Sequence, residues 1–223
     1  DSSSVGNTNM LSDYAAIKNG SYGKLMKAYY AKQDAEKLSG KGDTSQKLTL
    51  MKTSADSLKK SADALNDSSL LEKKKIKKKD EKTGEEIEVE DYDWDKITKA
   101  VKSFVEDYND VVKEAGESNT KDVLRNASWM TGMTDKNSNM LAKIGITIGK
   151  GNKLELDEDA LKQADISSLK TVFTGYNSFV SKISQKATGI SNAANRASAT
   201  YTNNGTYSKT DSSLTSSKID KEV

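Results

Sequence analysis

The chain reads Ile144-Gly-Ile-Thr-Ile-Gly-Lys-Gly-Asn-Lys-Leu154-Glu-Leu156-Asp157 in the stretch that decides its fold. Gly151 and Asn152 tolerate positive φ, so the apolar residues on either side are predicted to pair as a small β-hairpin over about 144–156. Asp157 is a good N-cap, and Glu158 and Asp159 suit the first turn of the helix that it begins. A short second helix follows and ends before Gly175, where a long helix begins.

The long helix is predicted over about 176–200, because its apolar residues recur at steps of three and four. These residues are Tyr176, Phe179, Val180, Ile183, Ala187, Ile190, Ala194, Ala197 and Tyr201. Its second half is rich in alanine, which allows a neighbouring helix to approach closely. A helix of this kind needs partner helices to bury its apolar stripe.

The clearest heptad pattern predicts a helix over 94–115, ended by Gly116. A helix over 45–66 has the same spacing, and shorter helices are predicted after Asn119 and Thr120 and over about 135–143. We expect helices 94–115 and 176–200 to pack together antiparallel, with helix 45–66 beside them. The candidate helix-packing and assembly residues are Trp94, Ile97, Val101, Phe104, Tyr108, Val111, Phe179, Ile183 and Ile190.

The fold class predicted from these patterns is mainly α: an elongated antiparallel helical bundle or coiled coil with one or two small β-hairpins. Residues 12–200 are expected to form a single elongated domain, whose first helix lies within about 13–37 and is rich in tyrosine. Tyrosines there suit either a core or an interface that is buried on assembly. Ser-, Thr- and Asn-rich composition predicts disordered tails over 1–11 and 201–223.

A charged segment over 72–93 interrupts the helical pattern. A lysine-rich arm, Lys73–Lys79, is followed by an acidic arm, Glu85–Asp91, in which Ile87 and Val89 alternate with carboxylates. This alternation predicts a second hairpin around Thr83 and Gly84, with lysines opposite carboxylates. The alternative for the basic arm is a nucleic-acid or localisation patch, but the adjacent acidic arm neutralises it.

The amino-acid composition offers few of the residue types that carry out catalysis or bind metals. The chain has no His, no Cys and no Pro, so it lacks a thiol nucleophile, a Ser-His pair and the usual zinc ligands. Asp157–Asp159 could be a cation site, but capping explains it better, and Asp135–Asn139 lacks the glycine and glutamate of a calcium loop. We therefore expect no catalytic, cofactor-binding or metal site and no enzyme, although an acid/base carboxylate pair is the remaining alternative.

The net charge of +2, from 35 basic and 33 acidic residues, indicates no nucleic-acid partner. No apolar run is long enough to cross a bilayer, so we expect no membrane insertion. These exclusions favour a function that depends on shape and assembly.

Two segments resemble the flagellar filament-capping family, also called flagellar hook-associated protein 2. One is Phe104-Val-Glu-Asp-Tyr108-Asn109. The other runs from Leu141 through the hairpin and Asp157 to Val172-Phe173-Thr-Gly175, and it fixes a hairpin, a cap and a helix end in one order. The residues that match the family's motifs are Tyr108, Asn109, Gly145, Leu154, Leu156, Asp157, Phe173 and Gly175.

The resemblance implies a bacterial, secreted and extracellular homo-oligomer at the flagellar tip, with flagellin, other axial proteins and an export chaperone as partners. It also implies that terminal helices form a coiled-coil leg beneath a β-rich plate. The family's large middle domains are missing here, and at most the charged hairpin stands in their place. The alternative is a secreted coiled-coil adhesin or binding module that displays this hairpin in cell adhesion.

Overall fold

A computed structural model of the chain describes residues 42–205, with side chains described as far as residue 199. The helix predicted within 13–37, the tail over 1–11 and residues 206–223 lie outside this range. Because the described residues contain no proline, their helices run without proline kinks.

The described chain is mainly helical, as predicted. Its helices are α1 (Ser45–Asn66), α2 (Trp94–Gly116), α3 (Lys121–Lys136), α4 (Ser138–Ala142), α5 (Glu158–Gln163), α6 (Ile166–Phe173) and α7 (Phe179–Gly205). Two antiparallel hairpins complete it: β1 (Lys74–Lys79) with β2 (Glu86–Asp91), and β3 (Ile146–Ile148) with β4 (Leu154–Leu156). A short 3-10 turn over Ser68–Leu71 links α1 to β1.

The four long helices α1, α2, α3 and α7 form a bundle in which each packs on the next in cyclic order. Polar contacts fix their directions. Asp63 accepts from Ser184 and Asp56 accepts from Ser191, each at 2.6 Å, so α1 and α7 run antiparallel. The Nζ of Lys186 lies 4.3 Å from the ring centre of Trp129, which places α3 along α7.

One expected pairing is wrong in detail. Helix α7 packs mainly on α1 and α3, and α2 lies diagonally across the bundle from it, so α1 separates the two helices predicted to be direct neighbours. The small buried residues Ala55 and Ala62 of α1, and Ala187 and Ala194 of α7, explain the close α1–α7 pairing. Across the diagonal two large rings meet, since the ring centres of Phe104 and Phe179 are 6.3 Å apart.

Three predicted boundaries also differ. Helix α7 begins at Phe179 rather than near 176, and Tyr176 precedes it with 82% of its surface exposed, so its assignment to the apolar stripe was wrong. The same helix continues to Gly205, past the predicted end near 200. The helix expected over 135–143 is the short α4, separated from α3 at Asn137.

The bundle has two distinct ends. Because α1 and α7 are antiparallel, the start of α1 and the end of α7 lie at one end, together with the α2–α3 loop. The charged hairpin β1–β2 leaves from the other end, between α1 and α2, and makes little contact with the helices. Residues 42 and 205, the first and last described residues, therefore both lie at the end opposite the hairpin.

Candidate functional site

The motif residues Gly145, Leu154 and Asp157 build a compact unit of the β3–β4 hairpin and helix α5. Gly145 has a φ of +80°, and a Cβ there would lie 2.6 Å from the carbonyl oxygen of Asp157. The backbone N–H of Asp157 donates to the carbonyl of Gly145 at 2.8 Å, which brings the two ends of the hairpin together. Only glycine accommodates both the conformation and this close contact.

Asp157 then starts helix α5, as predicted. Its carboxylate accepts hydrogen bonds from the backbone N–H groups of Asp159 and Ala160, at 3.1 and 3.0 Å. Glu158 and Asp159 occupy the first turn, where the helix dipole favours negative charge. Gly151 and Asn152 have φ values of 73° and 67° in the hairpin loop, as the sequence predicted.

The hairpin docks onto helix α2 through Asn109. The carboxamide of Asn109 donates to the carbonyl of Leu154 at 2.9 Å and accepts from its backbone N–H at 2.7 Å. The neighbouring Tyr108 is fully buried, and its hydroxyl lies 2.8 Å from the hydroxyl of Thr134 on α3. Burial raises the pKa of Tyr108 far above its ordinary value, so this residue stays a neutral hydrogen-bonding group. The two motif segments, which lie far apart in sequence, therefore meet where Asn109 of α2 binds Leu154 of the hairpin. This contact is here named the joint.

Phe173, Gly175 and Leu156 complete the docking. Phe173 is fully buried and Leu156 packs half-buried against the core. Gly175 has a φ of +100°, and its N–H donates to the side chain of Asn66 at the end of α1, at 2.8 Å. Asn109 and Leu154 thus join helix α2 to the hairpin unit, and Gly145 and Asp157 close that unit. Tyr108 and Gly175 bind elsewhere in the bundle, to Thr134 and Asn66.

The predicted packing and assembly residues lie inside this chain. Ile97, Val101, Phe104, Tyr108, Val111, Ile183 and Ile190 are fully buried, Phe179 is nearly so, and Trp94 is half-buried against the core. They are covered by neighbouring helices of the same molecule. A surface for other molecules must therefore be formed by other described residues or by the segments outside the described range, and an assembly role for these nine remains a prediction.

The charged hairpin is the most exposed element that the structure describes. Its register places Lys75 opposite Glu90, Lys77 opposite Glu88 and Lys79 opposite Glu86. These three rungs share one face, here named the charged face, and all six side chains are exposed. The prediction that lysines face carboxylates holds for these rungs and for Lys74 with Asp91.

The opposite face of the hairpin is partly apolar. Ile76 pairs with Val89 and Lys78 with Ile87, and Ile87 remains 40% exposed. Lys78 reaches along this face to Asp91 at 2.5 Å, so its aliphatic stem passes the Ile76–Val89 pair. At the root, the rings of Tyr92 and Trp94 are 6.3 Å apart, which anchors the hairpin to the start of α2.

Asp43, which no sequence motif singles out, holds the opposite end of the bundle. It is 5% exposed and accepts from the hydroxyls of Ser118 and Thr120, at 2.6 and 2.7 Å, and from the N–H groups of Asn119 and Thr120. Burial raises the pKa of this carboxyl, but the hydrogen bonds from Ser118, Thr120 and Asn119 outweigh burial, so the pKa lies below its ordinary value. The carboxylate also sits at the start of α3, where the dipole favours it.

Two repeated polar triads at the rim of α1 and α7 were also missed. Lys52, Asp56 and Ser191 form one, and Lys59, Asp63 and Ser184 form the other. Each aspartate accepts from a lysine four residues earlier and from a serine across the interface. The signal was available, because the lysine, the aspartate and the serine each recur at an interval of seven.

The described residues contain no cluster of three or more His, Cys, Asp or Glu side chains suited to a metal ion. Within residues 42–205, no helix is long and apolar enough to cross a membrane. The carboxylates of Asp43, Asp56, Asp63 and Asp157 are occupied by caps, turns and ion pairs. This arrangement of side chains is suited to the docking and packing of helices rather than to making or breaking covalent bonds.

The fold and the joint together define a helical-bundle protein: a four-helix bundle with a docked hairpin unit and a projecting charged hairpin. The family model for the C-terminus of flagellar hook-associated protein 2 matches residues 118–222, slightly less than half of the chain. The match confirms the resemblance as a partial, C-terminal one, and it supports a flagellar cap-like protein.

The matched range contains six of the eight motif residues, from Gly145 to Gly175. Tyr108 and Asn109 lie before it, although Asn109 binds directly to Leu154 inside it. No curated protein and no solved structure matches the chain significantly.

Proposed function

We propose that this protein is a non-enzymatic structural component of a bacterial flagellum-like appendage, and that it assembles outside the cell into a homo-oligomer that acts like the filament cap. The observation that carries the proposal is the match over residues 118–222 to the C-terminus of flagellar hook-associated protein 2. The joint supports it, because the motif residues hold a hairpin, a cap and a helix end in one rigid arrangement.

The polarity of the molecule fits an axial protein. Residues 42 and 205 both lie at one end of the bundle, and the hairpin projects from the other. One end is then available for attachment to a filament and the other for contacts above it. On this proposal residues 12–205 act as one elongated domain, with residues 1–11 and 206–223 as tails. The partners are flagellin or other axial proteins and, before export, a chaperone.

The projecting hairpin favours a second candidate function. An exposed, highly charged ribbon at the tip of a helical rod is also suited to binding a ligand, as in a secreted adhesin. Such a protein would work as a monomer or a dimer, whereas a cap-like protein works as an assembly.

Sedimentation velocity over a wide concentration range separates the two. We expect a concentration-dependent shift to a discrete oligomer and, by electron microscopy with a gold-labelled chain, binding at the ends of purified filaments. The sides of the same filaments are the internal control. A strict monomer at the highest soluble concentration, with equal labelling of ends and sides, would contradict the cap-like function and favour the adhesin.

A further inference from the structure

We propose that the β1–β2 hairpin joins one copy of this chain to the next, with β2 of one copy pairing edge to edge with β1 of its neighbour. The inference deepens the proposed function and rests on it, since it assigns the contact and the symmetry of the assembly. The occupant of each free strand edge is therefore a second copy of the same hairpin.

Both outer edges of this hairpin are available. Among the described residues its sheet has two strands only, so the outward backbone N–H and C=O groups of β1 and of β2 have no strand partner there. Such edges are templates for pairing with another chain. The hairpin also stands clear of the helices, which leaves room for a neighbour.

The charges decide which edges can meet. On the charged face, β1 presents a column of lysines at 75, 77 and 79, and β2 presents a column of glutamates at 86, 88 and 90. Pairing β1 with β1, or β2 with β2, places like charges directly opposite each other, which is destabilising. Pairing β2 with the β1 of a second copy repeats the lysine–glutamate rungs that already hold the hairpin together.

The charges on this face are largely free to make new pairs. Within the described residues the charged face shows one ion pair, Lys77 with Glu86 at 3.8 Å, and both side chains remain well exposed. On the other face, the same register places Ile76 of one copy beside Val89 of the next, so the partly apolar face becomes a continuous stripe.

This pairing is head to tail rather than two-fold symmetric. Each copy offers β1 to one neighbour and β2 to the other, and strands alternate in direction along the extended sheet. A heterologous contact of this kind generates a ring where the rotation closes, and a filament where it does not. One six-residue edge is a small contact, so each pair is weak alone and gains from closure of the ring.

The chain has no cysteine, so single cysteines give clean cross-links. We mix Lys77→Cys with Glu88→Cys under mild oxidation and compare the mixture with each variant alone. A disulfide-linked dimer at least about tenfold more abundant in the mixture is expected, since opposed strand positions bring Cβ atoms within about 5.5 Å. Equal or greater cross-linking of Lys77→Cys with itself overturns the proposed symmetry, and no cross-linking in any sample overturns the contact.

A charge exchange provides the second readout. Replacing Lys75, Lys77 and Lys79 by Glu should abolish self-association, while the added exchange of Glu86, Glu88 and Glu90 to Lys should restore it. The fully exchanged protein is the matched control, because its own hairpin rungs are intact. Circular dichroism of all variants verifies that the bundle is folded.

The two proposals fail in different ways. Self-association that is unaffected by these charge exchanges overturns the hairpin contact and leaves the cap-like function standing. Copies that join through the hairpin but never bind filament ends overturn the cap-like function and leave the contact standing.

Discussion

The side chain of Asn109 pairs with both backbone groups of Leu154, and so a residue of helix α2 acts as a strand partner for the β3–β4 hairpin. The two hydrogen bonds, at 2.9 and 2.7 Å, join segments 45 residues apart. They fix the position of the hairpin along α2 and, through Leu154, the position of helix α5.

Replacing Asn109 by Ala should therefore loosen the joint. The change leaves the N–H and C=O of the buried Leu154 without partners, and each such group costs about 1–3 kcal/mol of unfolding free energy. Urea unfolding measures the loss, with Ser103→Ala, at an exposed position of the same helix, as the control. Equal stability of the two variants would contradict the role of this pair.

The two positive-φ glycines of the hairpin unit should respond differently to alanine. At Gly145 the added Cβ meets the carbonyl of Asp157 at 2.6 Å, whereas at Gly151 nothing lies within 4 Å. We expect Gly151→Ala to cost about 1–2 kcal/mol, from backbone strain alone, and Gly145→Ala to cost clearly more. Thermal melting compares them, and similar melting temperatures would argue against the close contact.

Asp43 should make stability fall in acid. Its pKa is lower in the folded chain than its ordinary value of 3.8, so the stabilisation is complete above the pKa of the unfolded state. It is lost as the pH falls through the lower, folded value. The unfolding free energy of Asp43→Asn should thus lie below that of wild type at pH 7, and the two should converge below about pH 4.

The control for that experiment is Asp135→Asn, at an exposed position of α3. Its stability should follow the wild-type curve throughout. A constant gap between Asp43→Asn and wild type from pH 7 to pH 2 would mean that charge contributes nothing to the loss.

Phe104 should be a core residue whose truncation is costly. It is fully buried and lies between Tyr108 and Phe179, with ring centres 6.2 and 6.3 Å away. Phe104→Ala should lose about 3–5 kcal/mol of unfolding free energy. Leu50→Ala on α1, where Leu50 is 49% exposed, is the control and should lose far less. Comparable losses in denaturant unfolding would refute the assignment.

The periodic spacing of apolar residues predicted much of the fold. The spacing of Leu48, Met51, Ala55, Leu58, Ala62 and Leu65 predicted α1 within its observed bounds, and the heptads of α2 were equally clear. The small hairpin was found because Gly151 and Asn152 tolerate positive φ, and the charged hairpin was found because Ile87 and Val89 alternate with carboxylates. In each case the information is local, so a short window of sequence contains it.

The order of helices in the bundle was not accessible in the same way. An apolar stripe shows which face of a helix is buried, but not which neighbour covers it. The close pairing of α1 with α7 is favoured by small buried residues on both helices, Ala55, Ala62, Ala187 and Ala194. Asp43 was missed because its partners, Ser118 to Thr120, are about 75 residues away and nothing local distinguishes it from a turn aspartate.

The two arms of the charged hairpin enter and leave side by side, since Lys74 is paired with Asp91. Helices α1 and α2 are therefore connected through two neighbouring positions, whatever the length of the segment between them. Such an insertion site tolerates replacement of the segment between its two ends. A module whose own termini lie close together can be grafted there while the helical bundle keeps its packing. The position between Lys74 and Asp91 is therefore where a different domain can be inserted into this bundle, in evolution or by protein engineering.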